Sequence, residues 1–398
     1  RHTRYIGGVQ TCALPICRPQ ISGSDMDQGH DRAAVARQEA RIDQADQIGQ
    51  GGSTGCTGHF LAFHEVHLGR RCTQTVFDGH GRLDPRAVGW SARPRVLCHI
   101  PGHFGRRKRW NHWCITTPNW MLAITLADLD LMGFAAAYFL DLHSGKSVAF
   151  TRRSPLASGC ELADTPQASQ AFEHPQLHIR VDEQAGRTRL SVNAPDIGGQ
   201  ALQVELDIQR PAHLESMNLV VPFAKGGFHA SCRQLGLPVT GSIKLGTYLY
   251  QCIPGRSFAA LDFGRGLWPH NSDWSRVAFA APGGIAGNFG TGWTDGSGLT
   301  DNALWFGGKL AKLDSQVSFS PNNSSDPLSP WSIRSECGRV DLIFSPRQLH
   351  RTCPQLGPLY HDNRQWFGEF SGVLLAKDSD KVPVHSALGW IGLNQARW

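Results

Sequence analysis

The chain has 398 residues, 40% of them hydrophobic and 18% charged, and a formal net charge of +6. That length suffices for two or three ordinary domains, and 44 glycines and 23 prolines dispersed among apolar runs indicate a turn-rich globular protein, not a disordered one. The charge excess is too small and too scattered for a nucleic-acid-binding protein, and the apolar run GFAAAYFL (133–140) is far too short to span a bilayer.

Residues 1–71 are set apart. GVQTCALPI (8–16) resembles the conceptual translation of a sequencing adapter, so residues 1–17 are expected to be a read-end artefact, and the stretch to Arg71 has scattered charge and little periodicity. No secretion signal opens the chain. The 11 cysteines are odd in number and irregular in spacing, without a CxxC pair, which suits reduced thiols of a cytoplasmic protein.

Order is expected from Val76, through a turn-rich entry segment containing Trp90 and Pro94. The basic run Arg106-Arg107-Lys108-Arg109 reads as a solvated turn before a strand. Cys98, His99, His103, His112 and Cys114 match no zinc spacing, and no metal site is expected. From residue 111 the apolar runs are short and separated by turns. They include Met121–Leu126, Leu177–Val181, Arg189–Val192 and Leu202–Ile208, the last alternating Leu, Val, Leu and Ile against Gln, Glu and Asp, as in a strand with one wet face. A second series starts near Phe258 and continues to Ile391, with Phe306-Gly307-Gly308-Lys309 as a two-glycine hairpin turn.

No helical period separates these runs, so βαβ order is excluded in favour of an all-β chain. Two groups of about eight to ten antiparallel strands point to two consecutive barrels or sandwiches, because closure protects strand edges. The expected division is a barrel over 72–250 and a second over 251–398.

Chemistry-bearing side chains concentrate in LDFGRGLWPHNSDW (261–274) and GNFGTGWTDGSGLTDN (287–302). Asp262, on the same strand face as Ala260 and Phe258, requires a cationic partner or a proton if buried, and Arg265 is the expected partner, across a glycine able to turn the chain. Asp295 stands in a glycine-bearing loop with Asp301 and Asn302; it suits acid–base work or turn capping, and the position twelve along is Phe306, not the closing glutamate of a calcium loop. Asn288 is placed to orient a ligand oxygen, and Trp268, Trp274, Trp293 and Trp305 form either an apolar wall or core filling. His112 and Glu369 complete the set of acid–base candidates.

GRLDPRAVGWSARP (81–94), GRRKRWNHWCITTPN (105–119), LDFGRGLWP (261–269), WTDGSGLTDNALW (293–305) and WFGEFSG (366–372) together resemble DUF2804, a bacterial family of unknown function. The resemblance covers about residues 76–398. It implies a fold similar to the two-domain lipocalin-like (calycin) proteins, among them hydroxyneurosporene synthases and AttH-like proteins: two consecutive antiparallel lipocalin-like β-barrels and an apolar ligand. His270 stands where relatives tend to have an aromatic residue, and Asp301 where Glu is common.

The functional expectation is a protein that binds a small apolar or amphipathic, lipid-like molecule through Asp262, Arg265, Trp268, Asn288, Asp295, Trp293 and Asn302. It is either a cofactor-free acid–base catalyst of hydration, isomerisation or cyclisation, using Asp262, Asp295, Glu369 or His112, or a carrier or sensor. The remaining alternative is a structural module whose polar residues only cap loops.

Overall fold

A computed structural model describes residues 74–398 except 225, 357–358 and 377–379; the leader to residue 71 lies outside the described residues. Within them the only helical element is a single 3-10 turn, Pro85–Ala87, started by Asp84, whose carboxylate accepts from the backbone N–H of Arg86. The rest is antiparallel strand and turn, apart from one short parallel pair between Gln74–Thr75 and Val96–Leu97.

Two antiparallel sheets follow one another, one curled into a nearly closed barrel and the other into a half-barrel. In the first sheet the strands Ser147–Pro155, Met132–Asp141, Trp120–Asp128 and Arg107–Thr116 pair as successive hairpins. Arg107–Thr116 then pairs with Phe258–Leu267, which pairs with the 18-residue strand Phe228–Leu245. The sheet continues through Leu202–Gln209, Arg187–Ala194, Leu177–Gln184, Gln170–His174 and Cys160–Glu161.

The long strand serves two neighbourhoods because it is bent. Its pairing with Phe258–Leu267 slips between Gln234 and Leu237, where Gly236 has a φ of 68°. A bulge of this kind turns the strand and increases its twist. The half before it pairs with Met217–Pro222, and the half after it with Leu202–Gln209.

In Leu202–Gln209 the even positions Leu202, Val204, Leu206 and Ile208 are buried and Gln203, Glu205 and Gln209 exposed, as the alternation requires. The interior of the first barrel is filled by large side chains, among them Trp113, Trp120, Phe139, Phe172, Phe228 and Phe263. Ser147–Pro155 escapes sequence reading because it is an edge strand: only Phe150 and Ser154 are buried, so no apolar alternation survives.

The second sheet runs in the order Lys309–Lys312, Ala303–Phe306, Ile285–Thr291, Asn271–Ala281, Lys381–Arg397, Leu359–Leu375, Val340–Thr352, Trp331–Ser335 and Val317–Pro321. Its own core includes Phe279, Phe289, Phe319, Phe344 and Phe370. Gly307 and Gly308, with φ of 56° and 76°, form the tight turn between Phe306 and Lys309.

Phe258–Leu267 lies beyond residue 250 but pairs only within the first sheet, and the second sheet starts at Asn271. Asp262 therefore stands on the first barrel. Between the barrels a third apolar cluster draws on both, with Tyr138, Ala260 and Trp268 from one and Ala278, Phe367 and Trp390 from the other.

Candidate functional site

Strand register builds the first half of the site. Thr125, His112, Asp262 and Arg233 are consecutive cross-strand partners on four neighbouring strands, so all four side chains leave the same face of the first sheet. That face looks towards the second barrel, whereas Trp113 and Phe263, one residue along their strands, fill the interior.

The glycines of the GRG segment make this face possible. A Cβ at Gly264 would lie 2.2 Å from Cε2 of Trp110, and one at Gly266 would lie 2.4 Å from the carbonyl oxygen of Phe228. The absence of side chains there lets the indole of Trp110 lie flat on the sheet, where its Nε1 donates to Oδ1 of Asp262 at 3.2 Å.

The second barrel supplies the other half. Arg276 is paired with Gly290 on one neighbouring strand and Gly392 on the other, so no cross-strand side chain flanks it on either side. Its Nη1 meets Oδ2 of Asp262, and its Nε donates to Oδ1 of Asn288 at 3.0 Å. Asn288 in turn donates from Nδ2 to the backbone carbonyl of Asp301 at 2.6 Å. Oδ2 of Asp301 accepts from Nε and Nη2 of Arg233, both at 3.2 Å, and Nη1 of Arg233 meets Oδ1 of Asp262.

These contacts close a ring that crosses the junction: Asp262, Arg276, Asn288, Asp301, Arg233 and back to Asp262. Two guanidiniums face two carboxylates, so the ring is formally neutral. Arg233, Asp301 and Asn288 are buried, and the Asp262 side chain keeps 15% of its area exposed. Burial draws both guanidiniums down to about 10; for Arg233 the neighbouring Arg276 adds to this and Asp301 opposes it, and for Arg276 Asp301 opposes it.

Three polar atoms at the ring have no hydrogen-bond partner: Nη2 of Arg276, Oδ1 of Asp301 and Nε2 of His112. His112 keeps some exposed area, but Nε2 is enclosed, and Nδ1 is bonded to Oγ1 of Thr125 at 2.8 Å. Burial, followed by the positive charges of Arg276 and Arg233, lowers its pKa to about 3, so the ring is neutral at physiological pH.

An aromatic box lies beside the ring. His229 is stacked on Trp110 with ring centroids 4.9 Å apart and is met edge-on by Trp268 at 4.9 Å and Trp293 at 4.8 Å. Nε1 of Trp268 donates to Nδ1 of His229 at 3.2 Å, which puts the imidazole proton on Nε2. Burial, reinforced by Arg233, holds the pKa of His229 well below its ordinary value.

Among the described residues, one cavity of about 20 Å3 and one of about 170 Å3 have neither Asp262 nor Asp295 in their walls. Among the described residues no three His, Cys, Asp or Glu side chains are grouped so as to hold a metal ion, and no helix is long and apolar enough to cross a membrane.

A family model described as a domain of unknown function, DUF2804, matches residues 69–398. The chain belongs to the DUF2804 family. Its structure is similar to that of an AttH-like protein of Nitrosomonas europaea, with 15% identity, coverage of 75% of this chain and 96% of the other, and a TM-score of 0.48. It is also similar to kievitone hydratase of Nectria haematococca, with 11% identity, coverage of 73% and 88%, and a TM-score of 0.39. No curated protein matches the sequence.

In this DUF2804 chain Asp262 and Asn288 belong to the ring, His112 is the cross-strand neighbour of Asp262, and Trp268 and Trp293 share the aromatic box. Asn302 is buried beneath, accepting from the Gly290 N–H at 3.0 Å and donating to the Ser315 carbonyl at 2.9 Å. Asp295 sits on an exposed turn and accepts from the Gly292 N–H at 3.0 Å. Glu369 is paired with Arg347.

Asp262 and Arg265 do not pair. They are three residues apart on a continuous strand, which puts them on opposite faces, and Gly264 does not turn the chain. Arg265 is buried on the inner side, where its N–H groups go to the carbonyls of Ala163, Trp110 and Gly264 and to Oδ1 of Asn111.

The partners that the sequence reading did not single out are Arg233, Arg276 and His229. A signal for two of them is present in FHASCRQL (228–235), where His229, Ser231 and Arg233 share one strand face and Phe228, Ala230 and Cys232 the other.

Proposed function

We propose that this DUF2804 protein binds a small amphipathic molecule at the junction of its barrels, with the oxygen-bearing end received by the Arg276–Asp262–Arg233 ring. The observation that carries this reading is the set of unpartnered atoms: a guanidinium N–H of Arg276, a carboxylate oxygen of Asp301 and the imidazole Nε2 of His112. Buried polar groups are ordinarily bonded, and three open ones around one ring call for a missing partner. Donor and acceptor are both present, so a hydroxyl or carbonyl is the matching group. The tryptophans beside the ring supply an apolar surface for the remainder of the molecule.

Carriage is favoured over acid–base catalysis. Both oxygens of Asp262 are occupied by guanidiniums, so neither is available to carry a proton in the ligand-free arrangement. A histidine whose pKa is about 3 is a weak general base near neutrality. The catalytic form would use Arg276 as an electrophile on a carbonyl instead.

A structural reading competes, because the ring closes on itself and Asp262 is absent from the walls of both cavities described above. Native mass spectrometry of protein purified without added ligand separates the two. Binding predicts a small molecule that accompanies the wild type and is lost from Arg276→Gln. A bare wild type that is also not stabilised by any member of a panel of fatty alcohols, ketones and sterols would leave the ring as a lock between barrels.

A further inference from the structure

We infer that the cavity of about 170 Å3 lined by Arg107 and Arg109 is a second binding site, for a small molecule carrying one oxyanion group on a short apolar body. It lies on the opposite side of the strand Arg107–Thr116 from the junction. Trp110 and His112 face the second barrel, while Arg107 and Arg109 alternate with them and point to the inner side, near Leu162 and Ala163.

The two guanidiniums are held in place from behind. Nε of Arg107 donates to Oδ1 of Asp130 at 2.7 Å, and the other oxygen of Asp130 takes the Arg107 backbone N–H at 2.9 Å. Asp130 is itself fixed in the left-handed region, with φ of 66°, by the bond from its N–H to Oδ1 of Asp128 at 2.8 Å. Nη2 of Arg109 meets the second oxygen of Asp128. Oriented in this way, both Nη atoms of Arg107 and Nη1 of Arg109 remain available, and Nε of Arg109 is enclosed without a partner. Such a pair of pre-set forks is suited to a carboxylate or phosphate.

Arg265 adds to the field. It is the cross-strand neighbour of Arg109, and all its bonds end on neutral acceptors, so its charge has no bonded counter-ion. Opposing this is Asp164 on the cavity wall, bonded to Nδ1 of His99 at 2.9 Å. Asp128, Asp130 and Asp164 together balance the three arginines, so binding depends on the free N–H donors more than on net charge. Ile100 and Leu162 provide the apolar wall that a bare inorganic ion would leave unused.

The test is isothermal titration of the whole chain with hexanoate, with hexanol and with inorganic phosphate. The expected result is saturable binding of hexanoate, weaker binding of phosphate at the same site by competition, and none of hexanol. Arg109→Gln should lower hexanoate affinity at least ~10-fold, as loss of a charge-assisted bond predicts. Asp164→Asn, which removes the opposing charge without touching the arginines, should raise it roughly threefold. Hexanol binding as well as hexanoate would reduce the site to an apolar void, and phosphate binding better than hexanoate would remove the apolar body from the proposal. No hexanoate binding, or an Asp164→Asn affinity no higher than wild type, overturns it even if Arg109→Gln does not fold.

Discussion

Arg276 reaches from the first strand of the second barrel to Oδ2 of Asp262 on the last strand of the first, so one ion pair spans the junction. Arg233 occupies the other oxygen from the same barrel as Asp262. A carboxylate shared in this way between two buried guanidiniums ties the relative placement of two sheets to a single side chain.

Asp262→Asn removes that charge while keeping the shape. It leaves Arg276 with no carboxylate and Arg233 with only Asp301. Breaking a buried pair from one side ordinarily costs about 3–5 kcal/mol, and the partial exposure of Asp262 puts the expected loss near the lower end. Urea unfolding would show a lower midpoint with an unchanged slope. A loss below about 1 kcal/mol would mean that the ring does not lock the junction.

Gly264→Ala should be destabilising even though Gly264 has ordinary strand geometry. The added Cβ would fall 2.2 Å from the indole of Trp110, a rigid ring that is also bonded to Asp262. Overpacking of this type costs about 1–3 kcal/mol. Because Trp110 has to move, a change in tryptophan emission should accompany the loss. Stability lost with unaltered emission would contradict the assignment of Trp110 to the glycine floor.

Acid should weaken the fold before carboxylates titrate. His112 has a folded pKa of about 3 against about 6.5 unfolded, so the unfolded state binds the extra proton between those values. The contribution of His112 is fully present above pH 6.5 and is lost as pH falls towards 3. His229, His350 and His361 are lowered by burial in the same direction. Each such group adds up to about 1.4 kcal/mol per pH unit to the slope of stability. Denaturation series between pH 7 and 4 should show the His112→Gln variant with a shallower slope than wild type, and equal slopes would rule out the enclosed neutral imidazole.

Thiol reactivity should divide sharply. Cys98 and Cys160 are pushed up to about 12 and Cys232 to about 11, each chiefly by burial. Cys337 is exposed; burial pushes its pKa up, but hydrogen bonds with Ser315, Ser335 and the Arg339 backbone together outweigh it and hold the pKa below the ordinary value. Brief alkylation of native protein followed by peptide mapping should modify Cys337 and the exposed Cys353 and spare Cys98, Cys114 and Cys232. Early labelling of Cys232 would show that the long strand Phe228–Leu245 opens in the native state.

Much of the fold was legible in the order of residues. Period-two alternation marks Leu202–Ile208 as a strand, a short polar turn sets Leu177–Val181 against the next one, and the glycine pair at 307 and 308 marks its hairpin, because these features depend on neighbours along the chain. The same local logic located the two segments that meet at the junction, including Asp262, Asn288 and Trp293. It was weaker where the signal is not local. The partner assigned to Asp262 by proximity was Arg265, while its actual partners come from strands 29 residues before it and 14 after it.

By itself, then, the amino-acid order determined that this DUF2804 chain is built of strands, where they turn, and which residues share a strand face. What covers each face was decided only by the tertiary structure. The bulge at Gly236 and the insertion of Phe258–Leu267 between Arg107–Thr116 and Phe228–Leu245 put His112, Asp262 and Arg233 in one row, and the second sheet brought Arg276 and Asp301 against it. The physical reason is that alternation has a period of two residues and carries no information about distant register, whereas the desolvation that makes these charges seek one another arises only when two sheets pack together.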